Sequence, residues 1–344
     1  MSFVRRQLLR FIAAPPVAAS FAPLTTGRAT ILMFHRFQHQ GRGVTGHDPR
    51  LLLSVLAYLR RQRYDLLPLT EVFERLKSGA PPLRRTVAFT IDDGYADHAE
   101  VAAPIFAEFD CPVTTFVTSG FLDGQLWFWW DRIEYLFERT ERTDFSLDQE
   151  GGAVRASWTD APGRSKAQAE FIEHCKLLPD DEKHTAIARL AAALEVQLPA
   201  QAPPRYAPMS WDQLRSCEGS GMTFGPHTVT HPVLSRATDA QSEYELEESW
   251  RRLKEQAISP VPVFCYPNGQ EADFGAREVR TLQAMGLAGA VVGTPGHASV
   301  RAYNEDAAAP FKVRRIAYPD DLPTLVQYVS GFETFKQTLR RETV

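Results

Sequence analysis

Apolar positions along this chain fall into short solid runs separated by stretches of helical periodicity. Ala29–Phe34 and Val87–Ile91 are continuous runs rich in β-branched and aromatic residues, the length and composition of buried strands. Val113–Thr118, Val261–Tyr266 and Ala288–Val292 read the same way, and Tyr64–Leu67 as a shorter strand. Between them, Leu51–Arg61, Thr70–Lys77, Ala99–Phe109 and Asp273–Met285 carry helical patterns. Asp239–Gln256 is a charged helix with a solvated outer face, and Leu322–Leu339 a terminal helix. Strand alternating with helix predicts an α/β fold, a parallel sheet closed into a barrel.

One region breaks the alternation. Phe145–Asp148 and Ala153–Trp158, joined around Gly151 and Gly152, read as a hairpin. Two helical patterns, Lys166–Leu177 and Asp180–Glu195, follow, and then a Pro/Ala-rich linker over Pro199–Pro208. The span 140–208 is expected to be a cap on the barrel rather than an independent domain. Just before it, Leu126–Trp130 is rich in indoles. It reads either as a sugar-stacking wall or as a helix anchored by Trp130, Ile133, Leu136 and Phe137.

The chemistry starts where the Val87–Ile91 strand stops. Asp92 and Asp93 follow at once, then Gly94, with Asp97 as the N-cap of the next helix. Adjacent residues at a strand end point in different directions. One carboxylate can therefore bind a metal while its neighbour faces a water, and Gly94 allows the sharp turn. The duller reading is an acidic turn capping a helix. A second stretch places His227 and His231 four apart, after Gly225-Pro226 and before Pro232. On a helix or tight helical turn such a pair shares a face and chelates one ion. Two imidazoles and one carboxylate, with positions left open for water, suit a divalent metal that activates a nucleophile.

Thr90-Ile91-Asp92-Asp93-Gly94 resembles the first motif of the polysaccharide deacetylase family (NodB homology domain, carbohydrate esterase family 4), usually Thr-Phe-Asp-Asp-Gly. His227-Thr228-Val229-Thr230-His231 resembles the second, and Phe264–Gly269 resembles the Phe-x-Tyr-Pro-x-Gly third motif of exopolysaccharide-type members. The order is right and the likeness runs from about Ile31 to the end. The resemblance implies a distorted (β/α) barrel of about seven strands over 28–344, including the 140–208 insertion. It implies a hydrolase that removes N-acetyl groups from a sugar polymer or oligomer. Asp93, His227 and His231 would hold a divalent ion, zinc by family precedent, with Asp92 as general base. The oxyanion donor maps to a backbone N–H near Asn268, beside a wall formed by Tyr266 and Pro267.

Two family features are missing. Cys265 stands where many members carry an arginine that steadies the catalytic aspartate, and Val313-Arg314-Arg315-Ile316 stands where many carry a Leu-x-His general acid. His35, at the end of the first strand, and His297, in a Gly-Thr-Pro-Gly-His loop, are candidate acids. Arg315 is expected in a surface or core-edge ion pair, with orientation of Asp92 or substrate binding as the alternatives. The readings kept beside deacetylation are a catalytically impaired carbohydrate-binding relative and a hydrolase of another non-peptide carbon–nitrogen bond.

Composition changes little. With 344 residues, 44% hydrophobic and a formal charge of −4, the chain is globular and has no basic, aromatic-interleaved face for nucleic acid. The four scattered cysteines read as free thiols and favour a reducing compartment without excluding periplasmic export. Residues 1–27 form a basic N-terminal segment. It reads as an amphipathic helix contacting the domain or a membrane surface, ahead of a weak twin-arginine signal. A cytoplasmic or membrane-associated location follows, and no stretch has the length of a membrane span.

Overall fold

Every residue of Thr86–Ile91 is buried, which only a strand covered on both faces achieves. In the computed structural model, which describes residues 14–149 and 152–336, this strand lies inside the wall of a distorted, nearly closed (β/α) barrel. In chain order the strands are β1 (Arg28–Phe34), β2 (Asp65–Leu66), β3 (Thr86–Ile91), β4 (Val113–Val117), β5 (Asp144–Gln149), β6 (Gly152–Ser157), β7 (Met222–Pro226), β8 (Val263–Cys265), β9 (Gly289–Pro295), β10 (Ala298–Ser299) and β11 (Val313–Ala317). The wall runs β7-β4-β3-β1-β11-β9-β8 and is parallel throughout. β2 joins β3, and β10 pairs antiparallel with β1.

Side chains alternate along each strand. On β3, Val87, Phe89 and Ile91 pack outward in the large cluster that holds Leu52, Leu56 and Phe106, while Ala88 faces the second, inner cluster with Phe116, Val263, Cys265 and Val313. Parity therefore sends Thr90 and Asp92 to the interior from β3, and Arg315 from β11. β7 and β8 end the ladder, and their seam is closed by the Val261 N–H donating to the Phe224 carbonyl at 2.7 Å. Gly225 permits this approach: a Cβ there would lie 2.9 Å from the Val263 carbonyl oxygen and 2.7 Å from the Phe116 ring.

The 140–208 region packs around its own apolar cluster. Ile133 and Phe137 on the helix Trp129–Arg139 meet Phe145 of the β5–β6 hairpin, Phe171 on Ala161–Leu177, and Ile187 on Asp180–Ala193. The centre of the hairpin turn lies outside the described residues, as does the basic stretch with Arg5, Arg6 and Arg10. Among the described residues no helix is long and apolar enough to cross a membrane.

Several expectations are corrected. Asp97 makes no side-chain capping bond; its carboxylate accepts from the Arg36 Nε at 3.0 Å and the Phe37 N–H at 2.7 Å, tying the helix start to the loop after β1. The terminal helix is interrupted after Val329, where Gly331 adopts φ +94°, a conformation that breaks the helix, and it resumes over 332–336, where the described residues end. The helix Asp239–Gln256 is not solvated all along its length: Ser242, Glu245, Leu246, Ser249 and Leu253 are buried.

Candidate metal centre

The aspartate turn is strained in a way that separates its two carboxylates. Asp92 continues the strand direction and its side chain enters the barrel. Asp93 adopts φ +89° and Gly94 φ +95°, so the chain reverses within two residues. That turns Asp93 away from its neighbour and towards β7.

The histidine stretch is not helical, contrary to expectation. It is an irregular turn after β7 in which Thr228 has φ 66° and His231 φ 60°. A β-branched residue at positive φ is a backbone outlier and has to be held by its surroundings. Glu245, 2% exposed, does this from the helix behind: its Oε2 accepts the N–H groups of Val229 at 2.7 Å and Thr230 at 2.8 Å, and its Oε1 accepts the Thr230 hydroxyl. The Thr228 hydroxyl accepts the His231 N–H at 3.0 Å. The chain thus turns back on itself and brings both rings to one point.

At that point His227 Nε2 and His231 Nε2 each lie 3.6 Å from Asp93 Oδ1, with all three side chains at most 5% exposed. Tetrahedral zinc with bonds near 2.0–2.1 Å sets its ligands about 3.4 Å apart, so one carboxylate and two imidazoles fit such an ion. The His227 Nδ1 sits 2.7 Å from the Cys265 carbonyl, a bond that places a proton on Nδ1 and leaves the Nε2 lone pair for a metal. Burial opposes charge on His227, yet Cys265 and the two aspartates outweigh it and push its pKa well above the ordinary value. The pocket therefore attracts positive charge between His227 and Asp93. Burial and His227 push His231 down to about 3, so its ring is neutral and able to ligate. Trp130 packs edge-on against that ring with centroids 4.6 Å apart.

Asp92 stays out of this set. Arg315, 2% exposed, donates to both of its oxygens, Nη1 to Oδ1 at 2.7 Å and Nη2 to Oδ2 at 2.8 Å. The same guanidinium reaches Thr90 Oγ1, the Val292 carbonyl and, at 3.1 Å, the Cys265 sulfur. Burial alone would raise the Asp92 carboxyl, but Arg315 outweighs it and holds the group below the ordinary carboxylate range. The expectation of a surface or core-edge pair for Arg315 is overturned: it is a fully buried bidentate clamp. An arginine on β11 reaches the aspartate across the barrel, and the small Cys265 leaves room for its head group.

A cavity of about 400 Å³ opens over these groups. His35 lines it, half exposed, with Nε2 3.9 Å from Asp92 Oδ2. His297 does not: it lies outside this cavity and its Nε2 bonds to the Tyr328 carbonyl at 2.8 Å. Tyr266 and Asn268 line the cavity, whereas Pro267 between them is buried behind it, so the predicted wall consists of Tyr266 alone. Asn268 takes φ 56°, and among the described residues its N–H has no protein hydrogen-bond partner. The indole stretch serves both readings: Trp129 and Ile133 anchor the helix in its apolar cluster, and Trp129 and Trp130 both line the cavity. Ile172 and Lys176, from the 140–208 region, form part of its rim.

Residues 185–290 match the polysaccharide deacetylase family model, a span that contains both histidines and the Phe264–Gly269 motif. The match covers under a third of the chain and marks this span as similar to a polysaccharide deacetylase domain. The aspartate motif lies outside the matched span, and the geometry supplies its connection to the histidines. Among solved structures, the fold is similar to the Streptococcus pyogenes deacetylase PplD in complex with acetate, at 18% identity and TM-score 0.57 over 89% of this chain and 99% of that one. It is also similar to IcaB from Ammonifex degensii (16% identity, TM-score 0.53, 88% and 97% covered). The BpsB deacetylase domain from Bordetella bronchiseptica follows at 15% identity and TM-score 0.50, with 85% and 96% covered. At these identities the likeness shows the shared deacetylase-type barrel. No curated protein matches the chain by sequence.

Proposed function

We propose that this chain is a metal-dependent hydrolase of the polysaccharide deacetylase family, removing N-acetyl groups from an N-acetylglucosamine-type polymer or oligomer of the exopolysaccharide kind. The observation that carries the reading is the division of labour between adjacent aspartates. Asp93 meets His227 and His231, while Asp92 is buried, clamped by Arg315 and open to the same cavity. The third-motif form Phe264–Gly269 supports the exopolysaccharide branch.

Asp93, His227 and His231 would hold the ion, and the two-imidazole, one-carboxylate set favours zinc. When bound, such an ion polarises the acetyl carbonyl and lowers the pKa of water at the site. Asp92 takes the proton from the attacking water. Each carboxylate oxygen has a second lone pair beyond the one Arg315 uses, so the clamp orients the base without blocking it. The Asn268 N–H, without a protein partner among the described residues, donates to the oxyanion of the tetrahedral intermediate. His35 then protonates the departing amine from the solvent side. It occupies the cavity beside Asp92, a position that His297 does not reach.

The test is acetate release from N-acetylglucosamine oligomers and bacterial exopolysaccharide, before and after chelation and with zinc restored. Activity that disappears with chelator and returns with zinc supports the reading; full activity in chelator, or none on any N-acetylated glycan, sinks it. His35→Gln is expected to lower kcat by about 10²-fold, while His297→Gln leaves it unchanged. The reverse pattern would reassign the acid.

A further inference from the structure

The cavity contains a buried carboxyl that the proposed reaction does not use. Asp131 sits in the first turn of the helix Trp129–Arg139, is 3% exposed and lines the cavity beside Trp130. Its neighbours there are neutralised: Arg36 by Asp97, Glu134 by Arg205 and Lys176 by Glu173. Among the described residues Asp131 has no cationic partner within 4.0 Å. Its one hydrogen bond comes from the Tyr95 hydroxyl, which donates to Oδ2 at 2.7 Å and itself accepts from Trp130 Nε1 at 3.1 Å. The Arg36 guanidinium covers the Tyr95 ring at 3.7 Å and locks the tyrosine in place. Among the described residues Oδ1 has no protein partner, and it is not one of the enclosed polar atoms left unpaired, so it is open to the cavity. Whatever fills the cavity must therefore meet this oxygen with a hydrogen bond.

We propose that Asp131 is a substrate-recognition residue whose Oδ1 hydrogen-bonds a ring hydroxyl of the sugar held over the metal centre. The inference rests on the deacetylase reading above and adds to it a specific contact. The charge state supports a hydroxyl over an ammonium ligand. Burial, with Glu134 and Asp93 nearby, outweighs Tyr95 and Arg36 and holds the Asp131 carboxyl well above the ordinary range. A carboxylic acid can both donate to and accept from a hydroxyl but gives no ion pair to an amine. Trp130 beside it stacks one face on Phe128 and lines the same cavity, giving an apolar neighbour to the polar contact.

The experiment measures binding of tri-N-acetylchitotriose to the full chain stripped of metal by chelation, so that no turnover is needed. Calorimetry on the wild type, Asp131→Asn and Asp131→Ala gives the affinities, and N-acetylglucosamine derivatives lacking one ring hydroxyl identify the contact. Loss of one hydrogen bond weakens binding about tenfold, so Asp131→Ala is expected to fall by that factor. Asp131→Asn, which still accepts from Tyr95 and donates to a hydroxyl, should retain most of the affinity. One deoxy derivative should bind poorly to the wild type and suffer no added penalty in Asp131→Ala. Zinc stoichiometry should be equal in all three proteins. Equal affinity in Asp131→Ala and wild type, with the deoxy pattern intact, overturns this contact and leaves the deacetylase reading standing. Loss of zinc in Asp131→Ala also overturns it, since the residue would then act through Trp130 and His231. A wild type that neither binds the trimer nor releases acetate from any glycan sinks both readings together.

Discussion

Asp92→Asn is expected to bind zinc with wild-type stoichiometry and to lose acetate release by about 10²–10⁴-fold, the usual contribution of a positioned general base. The structure dictates the choice of asparagine. Arg315 is buried against Asp92 through two hydrogen bonds. An alanine would leave that guanidinium facing a void and would confound loss of chemistry with loss of fold. An amide oxygen keeps one of the two bonds but is far too weak a base to accept a proton from water. His231→Ala, by contrast, should lose zinc and activity together, because His231 Nε2 belongs to the ion-binding set. Unchanged turnover in Asp92→Asn would remove it from the base role. Loss of zinc in the same variant would move Asp92 into the ligand set.

Arg315→Met is expected to be the most damaging substitution for the fold. Removing one member of a buried ion pair typically costs about 3–5 kcal/mol, since the remaining charge is stranded. The pH dependence has a defined sign. In the wild type Asp92 titrates below its unfolded value, so its contribution to stability is present above the unfolded pKa and lost as pH falls through the lower, folded one. Without Arg315, burial is unopposed by that cation and the folded pKa rises. The variant's relative stability is then best in acid and declines as pH climbs through the raised value. The gap between the two proteins should therefore be widest near neutrality and narrow towards acid, read from urea unfolding across the pH range. The acid limb of any residual activity should move to higher pH. Arg315→Lys should rescue poorly, because an ammonium cannot form the two-pronged bond. A constant gap across pH would mean that Arg315 supports the barrel without setting the state of Asp92.

Much of this arrangement was legible before any coordinates. Val87–Ile91 fitted a buried strand, and the Asp-Asp-Gly at its end read either as a turn presenting two carboxylates to a site or as an acidic helix cap. The hairpin of β5 and β6 followed from the paired glycines. These are local matters, settled by spacing of a few residues. Glu245 was missed for the converse reason. Within the heavily charged run Asp239–Gln256 it looks like one solvated acid among many, and only the packing of that helix against the histidine turn shows it is buried. Asp131 was hidden in the same way, directly after a stretch read for its indoles.

The sequence by itself determined the strand–helix alternation, the strand-end aspartates and the histidine pair, because period and adjacency are written into the chain. Which of Arg314 and Arg315 turns inward, and that it meets a carboxylate more than two hundred positions away, was decided only by tertiary structure. Strand parity depends on register, and register is fixed when β11 docks between β1 and β9. The same holds for the two candidate histidines, since only closure of the barrel places His35 beside Asp92 and His297 against Tyr328.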